Sequence, residues 1–271
     1  MKDEIIKKIA SSRKYQGLYH KTIERIVKDY LKKYPEKAVE KKARQLLHQI
    51  WDIFYPTRPD FKKLLEKFKE TAKIVGGPTS HKLDTRGVKE TVLPILKLHA
   101  STKERIPILN DFYQKIFEIT GKPKTIVDLA SGLNPLTYFW LPQGIKYYGY
   151  DIDQEQAQFL TAIFKLLKVN RVKIGLGDIF VDRSPKADIV FLLKLLPLLE
   201  HQKKGSSLVT LEKQDAKWLV VSFPTKSLGG KPKNMIDFYS KQFQDLIRNQ
   251  PWQTEKILFP TELVFVINKM P

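Results

Sequence analysis

The sequence contains no cysteine. Disulfide scaffolds, thiolate zinc sites, iron–sulfur clusters and thiolate nucleophiles are therefore excluded. It also lacks a long hydrophobic run. The most apolar stretch, Ile189 to Leu199 (IVFLLKLLPLL), is too short to span a bilayer and is interrupted by Lys194 and Pro197. The opening segment MKDEIIKKIASSRKYQ mixes charges with short apolar pairs and has no leader-like apolar core. A soluble, cytoplasmic protein without a membrane partner is expected. Acidic residues are scarce beside basic ones: 29 Asp+Glu against 48 Lys+Arg, a formal charge of +19 over 271 residues. With 42% hydrophobic residues the excess does not mean disorder, and the length suits one large domain or two modest ones.

The charge is unevenly spread. Residues 1–98 carry 24 Lys+Arg against 12 Asp+Glu, whereas the longer remainder carries 24 against 17. A basic excess concentrated in the smaller part fits a polyanion-binding face, because each neutralised phosphate releases counterions. Solvated helix faces that only confer solubility are the plainer reading. Helical spacing is evident at Tyr19, Ile23, Ile26, Val27, Tyr30 and Leu31, closed by Pro35. It recurs at Val39, Ala43, Leu46, Leu47, Ile50, Trp51 and Phe54, and again at Phe61, Leu64, Leu65 and Phe68. These stripes read as core. Their polar faces, with Lys62, Lys63, Lys67 and Lys69 on the third, form the candidate RNA surface. Residues 76–90 read as a Gly-rich loop, followed by helical patterning from Val88 to Leu98 and from Pro107 to Thr120.

From Lys124 the texture changes to short Ile/Val/Tyr-rich runs alternating with helical stretches. Strands are expected at 125–129, 146–150, 171–175, 188–192 and 218–222. Helices are expected at 154–167, from 195 to 202 with an extension toward 214, and at 235–248. A last pair of strands at 255–258 and 263–268 reads as an edge hairpin. Strand–helix alternation implies right-handed crossovers and an α/β architecture with a parallel sheet. The chain divides into a basic helical region, 1–98, and an α/β region, 99–271.

In such a sheet, ligands bind beyond the carboxyl ends of the strands. The first strand runs into Asp128-Leu-Ala130-Ser131-Gly132-Leu-Asn134-Pro135, whose small residues let backbone pass close to a ligand. The G-x-G-x-x-G fingerprint of dinucleotide sites is missing, so a phosphate-free adenosyl ligand fits this loop better. The second strand ends in Asp151-Ile-Asp153, where an acid can accept from a ribose diol, and strand-end placement favours Asp151. The third ends in Gly177-Asp178-Ile179-Phe180, where a carboxylate can take an adenine amino group and apolar side chains can cover the ring. Each acid could equally be a helix N-cap, but three at successive strand ends favour an S-adenosylmethionine-type site. Upstream, His99-Ala100-Ser101-Thr-Lys-Glu104-Arg105 has capping-box spacing between Ser101 and Glu104. A second reading has His99 or Arg105 reaching a ligand carboxylate.

Three segments, HASTKER (99–105), DLASGLNP (128–135) and SFPTKSLGG (222–230), carry a resemblance over most of the chain. In that order and spacing the sequence resembles the aminoglycoside-resistance 16S ribosomal RNA (guanine-N7) methyltransferases, which modify a guanine of the decoding A site. The resemblance implies a Rossmann-like class I methyltransferase fold using S-adenosyl-L-methionine, with an N-terminal helical extension that binds 16S rRNA in the 30S subunit. It implies cofactor contacts from His99, Ala100, Ser101, Arg105, Ala130, Gly132, Asp151 or Asp153, Asp178, Ile179, Leu193 and Gln202, and from Phe61. Lys226 stands where arginine is common, a point charge in place of a bidentate fork. It is expected to position the RNA. A monomer without a metal is expected.

Guanine N7 has an in-plane lone pair and no proton, so transfer to it requires alignment and no general base. The absence of an Asn/Asp-Pro-Pro-Tyr/Phe motif, associated with exocyclic amines, is consistent with this chemistry. Two other readings stand beside it: methylation of a different rRNA or tRNA nucleotide, and a non-catalytic RNA-binding protein that retains the fold.

Overall fold

Burial decides the sheet. A computed structural model describes residues 2–51, 54–75, 85–226 and 234–270. Its strands are β1 (Thr125–Leu129), β2 (Lys146–Asp151), β3 (Val172–Leu176), β4 (Ala187–Leu193), β5 (Ala216–Pro224), β6 (Gln253–Leu258) and β7 (Glu262–Asn268). They form one seven-stranded sheet in the order β3-β2-β1-β4-β5-β7-β6. The first five are parallel, and β7 runs antiparallel between β5 and β6. The central strands are hydrophobic on both faces, as a sheet covered on both sides requires. Ile126, Ile189, Phe191, Val220, Val264 and Val266 enter one core, and Val127, Val190, Leu192, Leu219, Val221 and Phe265 enter the other. The edge strand β6 is exposed apart from Ile257 and carries Glu255 and Lys256, charges that discourage pairing with another chain.

The helices are α1 (Lys2–Ala10), α2 (His20–Leu31), α3 (Glu36–Trp51), α4 (Phe61–Val75), α5 (Thr85–Leu96), α6 (Ala100–Arg105), α7 (Leu109–Thr120), α8 (Gln154–Leu166), α9 (Leu196–Gln202), α10 (Ser206–Lys213) and α11 (Met235–Ile247). The stripes of α2 and α3 are buried as their spacing implies. Helix α1 has no counterpart in the sequence reading. Its two core residues, Ile6 and Ile9, are too few to stand out among charges. Helix α5 starts at Thr85, inside the stretch read as loop, while 76–84 lie outside the described residues. The expected extension of α9 toward 214 is instead a separate α10, because Gly205 adopts a left-handed conformation (φ +79°) that ends one helix before the next. Among the described residues no helix is long and apolar enough to cross a membrane.

Two packing units result. Helices α1, α2 and α3 bury their stripes in a cluster of their own, whereas Phe61, Phe68, Val88, Val92, Ile95 and Leu96 of α4 and α5 join the core on one face of the sheet. The three-helix unit is fastened to the sheet through Asp153. Its buried carboxylate caps α8 by accepting the Gln156 N–H (3.0 Å). It also accepts from Trp51 Nε1 (3.0 Å) and from both arms of Arg58 (2.7 and 3.0 Å). The Arg58 guanidinium lies 4.3 Å from the Trp51 ring centroid. Main-chain bonds from Tyr19 N–H to Ile152 O and from Gln154 N–H to Gly17 O (each 2.8 Å) complete the seam. Removing one partner of a buried pair leaves an uncompensated charge. Arg58→Ala should therefore lower unfolding stability by about 3 kcal/mol in urea titrations; an unchanged midpoint would contradict this fastening.

Candidate cofactor site

The seam and the carboxyl ends of β1 to β4 enclose one cavity. It is lined by His99, Ser101, Arg105, Ala130, Gly132, Asp151, Asp153, Asp178, Ile179, Leu193 and Gln202. Residues distant in sequence are thus brought to one wall-to-wall site. Two of the expected cofactor contacts lie off its lining. Phe61, the first residue of α4, whose N-terminus Asp60 caps at 3.1 Å, points into the core, 5.2 Å from Phe159 and 6.1 Å from Tyr55 between ring centroids. Tyr55 itself lines the cavity, so Phe61 stands one layer behind it. Ala100 contributes its backbone, donating to Phe54 O at 2.8 Å.

The turn after β1 is shaped by its neighbours. Ala130 (φ +53°) and Gly132 (φ +51°) both take left-handed backbone, a conformation that side chains disfavour and that clusters at functional sites. The Gly132 N–H donates to Asp151 Oδ2 at 2.8 Å, tying the β1 turn to the end of β2. A Cβ on Gly132 would sit 2.9 Å from His99 Nε2. His99 is stacked on Phe54 (5.2 Å, 16°) and meets Tyr55 edge-on (5.0 Å). Burial, with Arg105 and Lys194 nearby, pushes its imidazole down to about 3, so it is neutral. Burial likewise raises Asp151 to about 6, although the N–H groups of Gly132, Asp153 and Ile152 oppose the shift. Among the described residues, buried polar atoms of the lining without a hydrogen-bond partner include Thr22 Oγ1, His99 Nδ1, Arg105 Nε, Ser131 Oγ and Gln156 Nε2.

The capping box does not form. His99 is the N-cap of α6 without a side-chain bond, and Glu104 turns instead to Lys194, with which it makes an ion pair. Arg105 is buried to 1% exposure. Its Nη2 lies 2.7 Å from Glu262 Oε1, its Nη1 donates to Asn134 Oδ1 at 2.8 Å, and its guanidinium carbon lies 5.1 Å from the Phe112 ring centroid. Asn134 Nδ2 passes the chain on to Asp128 Oδ2 (2.8 Å), which also accepts from the Tyr147 hydroxyl. Lys194, left-handed at φ +56°, stands 3.4 Å from the same Glu262 oxygen. The sequence marked Arg105, Asp128 and Asn134 through their motif segments and Lys194 as the cation inside the most apolar run. Glu262 looked like part of a hairpin link and carried no such mark.

On the other side of the cavity Asp178 Oδ1 accepts the Phe180 N–H (2.9 Å). Its Oδ2 accepts Arg25 Nε (3.0 Å) from α2, an approach that nothing in the α2 pattern foretold. Lys226 is exposed just beyond β5, off the cavity lining, and Ser227 to Gly230 of the third segment lie outside the described residues. Lys62, Lys63 and Lys67 are exposed on α4, and Lys69 is half-buried and paired with Glu66 at 2.7 Å.

Gly132→Ala would combine left-handed strain with a contact on a residue that stacking holds in place. A loss of about 2 kcal/mol is expected, seen as a fall of roughly 4–8 °C in thermal unfolding by circular dichroism. An unchanged Tm would contradict the close approach of His99.

Residues 11–266 match a family model described as ribosomal RNA methyltransferase (FmrO). The chain is 32% identical over 274 residues to a 16S rRNA (guanine(1405)-N(7))-methyltransferase of Proteus mirabilis, covering 99% of this chain and 97% of the relative. It is 32% identical over 272 residues to the protein of the same description from Micromonospora echinospora, covering 98% and 96%. Among solved structures it is similar to the 16S rRNA methylase RmtB (TM-score 0.78, 27% identity, 99% and 98% covered). It is also similar to the 16S rRNA methyltransferase RmtF in complex with S-adenosyl-L-homocysteine (TM-score 0.77, 26% identity, 98% and 97% covered). With a match that runs from the three-helix unit through the cavity to the last strand, the chain belongs to the ribosomal RNA methyltransferase family.

Proposed function

We propose that this protein transfers a methyl group from S-adenosyl-L-methionine to ring nitrogen 7 of a guanine in 16S rRNA. The target is the guanine that its relatives' names number 1405, and the substrate is the assembled 30S subunit in the cytoplasm. Modification there confers aminoglycoside resistance. The observation that carries the reading is the meeting of His99, Ser101 and Arg105 with the β1 turn, Asp151 and Asp178 around one cavity, in a chain of this family. The unpartnered His99 Nδ1, Ser131 Oγ and Gln156 Nε2 support a ligand with many polar atoms, such as a nucleoside joined to an amino acid.

S-adenosylmethionine supplies a sulfonium methyl, which the proton-free lone pair of guanine N7 can accept without a general base. The protein's task is then alignment, worth up to roughly 7–11 kcal/mol in favourable cases. In this reading Asp151 accepts from the ribose hydroxyls. Asp178 accepts from the adenine amino group, with Ile179 and Leu193 against the ring and Gln202 at its edge. Ser101, His99 and the unpartnered Nε–H of Arg105 serve the amino-acid end. The tight turn at Ala130 and Gly132 passes beneath. Asp153, engaged by Trp51 and Arg58, holds the wall together and leaves the ribose to Asp151. The basic region 1–98 docks on rRNA through exposed lysines such as Lys62, Lys63 and Lys67, with Lys69 at the margin. Lys226 grips the RNA near the target, and the protein acts as a monomer.

The decisive experiment incubates the protein with 30S subunits and labelled S-adenosylmethionine, then locates N7-methylguanine by borohydride–aniline cleavage and primer extension. A stop at the proposed guanine is expected; label incorporated elsewhere, or none, would overturn the proposal. In the same assay Lys226→Ala should reduce methylation at least about tenfold while calorimetric affinity for the cofactor is unchanged. A second outcome follows from Asp151. Ribose hydroxyls donate to the ionised carboxylate, and its raised value near 6 means protons compete below that pH. Affinity should be level above pH 7 and fall as pH drops through 6, by about tenfold at pH 5. Asp151→Asn should flatten that profile.

A further inference from the structure

The face of the cavity assigned above to adenine is not built by the sheet region alone. Arg25, from α2 of the three-helix unit, reaches across the seam. Its Nε donates to Asp178 Oδ2 (3.0 Å) and its Nη2 donates to Gln202 Oε1 (2.9 Å). The guanidinium lies 4.4 Å from the Phe180 ring centroid, and its side chain is 14% exposed beside an Asp178 side chain at 3%. One planar fork thus grips the two side chains that flank the base site, while an aromatic face beneath fixes its plane.

A guanidinium has donors and no acceptor. Facing Arg25, Gln202 must present its carbonyl oxygen to the guanidinium, which leaves the amide nitrogen, a donor, for the cavity. Asp178, a carboxylate facing the same cation, can only accept. The pair therefore offers one acceptor and one donor. Adenine carries the matching edge, an amino donor beside a ring-nitrogen acceptor. Hypoxanthine carries the reverse, a carbonyl acceptor beside a ring N–H donor. Without Arg25, Gln202 is free to turn over and Asp178 is left, among the described residues, with the Phe180 N–H alone to orient it, so either base could be met.

We propose that Arg25 is a positioning residue that makes the site selective for adenine, so that base recognition requires the N-terminal helices to be docked. The inference rests on the cofactor reading above and adds a determinant contributed by the helical unit. Lysine in place of Arg25 would keep the charge near Asp178 but could not hold Asp178 and Gln202 in one plane.

The test is calorimetric binding of S-adenosylhomocysteine and of its deaminated analogue, S-inosylhomocysteine, to the full chain and to the Arg25→Lys and Arg25→Ala variants. Unfolding midpoints without ligand are measured alongside. The unchanged chain should prefer the adenine ligand by roughly tenfold or more, because a polar site rejects a partner that leaves its groups unpaired. Both variants should bind S-adenosylhomocysteine about tenfold more weakly while the deaminated ligand changes little, so that the preference collapses. Equal weakening for both ligands would mean that Arg25 only supports the fold, and would overturn this inference alone. Failure of the unchanged chain to bind S-adenosylhomocysteine would overturn the cofactor reading and this inference with it.

Discussion

A fully buried guanidinium must be surrounded by acceptors, and the placement of Arg105 imposes that demand on half the molecule. Glu262 at the start of β7 supplies the countercharge, and Asn134 supplies a neutral acceptor whose other end holds Asp128. One side chain thereby joins α6, the turn after β1, the end of β1 and the antiparallel strand near the sheet's edge. The same Glu262 lies beside Lys194, and Lys194 pairs with Glu104, one residue before Arg105. Arg105, Glu262, Asn134, Asp128, Lys194 and Glu104 thus knit the cavity floor together, each an electrostatic partner of another. Asp128 shows the cost of such a floor: burial raises its carboxyl to about 6 in spite of donors from Tyr147 and Asn134.

A second buried charge, Asp153, does comparable work at the roof. It caps α8 and binds Trp51 and Arg58, so the helix that follows β2 and the three-helix unit share one carboxylate. Asp151, two residues earlier, receives backbone N–H bonds alone among the described residues and keeps lone pairs toward the cavity. The division of labour between two near-identical acids thus comes from what stands opposite each. It also gives the N-terminal helices two roles. Their outer faces carry exposed lysines, and their inner side, through Thr22, Arg25, Trp51 and Tyr55, closes the site.

Elements that depend on local pattern were legible. Strand β1 falls on the predicted 125–129, and α8 and α11 each differ by one residue at an end. The stripes of α2 and α3 are buried, and the acids at the ends of β2 and β3 reach the cavity. Local pattern misled where a competing partner intervened. Ser101 and Glu104 have the spacing of a capping box, but α6 has His99 as its N-cap, which puts Ser101 inside the helix, and Glu104 pairs with buried Lys194. Phe61, a cofactor contact implied by the resemblance and by no local pattern, sits at the start of α4 in the core behind Tyr55.

By itself the sequence determined the class of the protein: composition excluded thiol chemistry, alternation of strand and helix dictated the sheet, and three short segments marked the family. Those features are local, set by periodicity and by residue type within a few positions. Tertiary structure alone decided which charged side chains are partners. Arg25 meets Asp178 and Gln202, Arg58 meets Asp153, and Arg105 meets Glu262 across separations of 153, 177, 95 and 157 residues. Charge pairing has no periodicity along a chain, and its strength depends on burial that only the folded molecule creates.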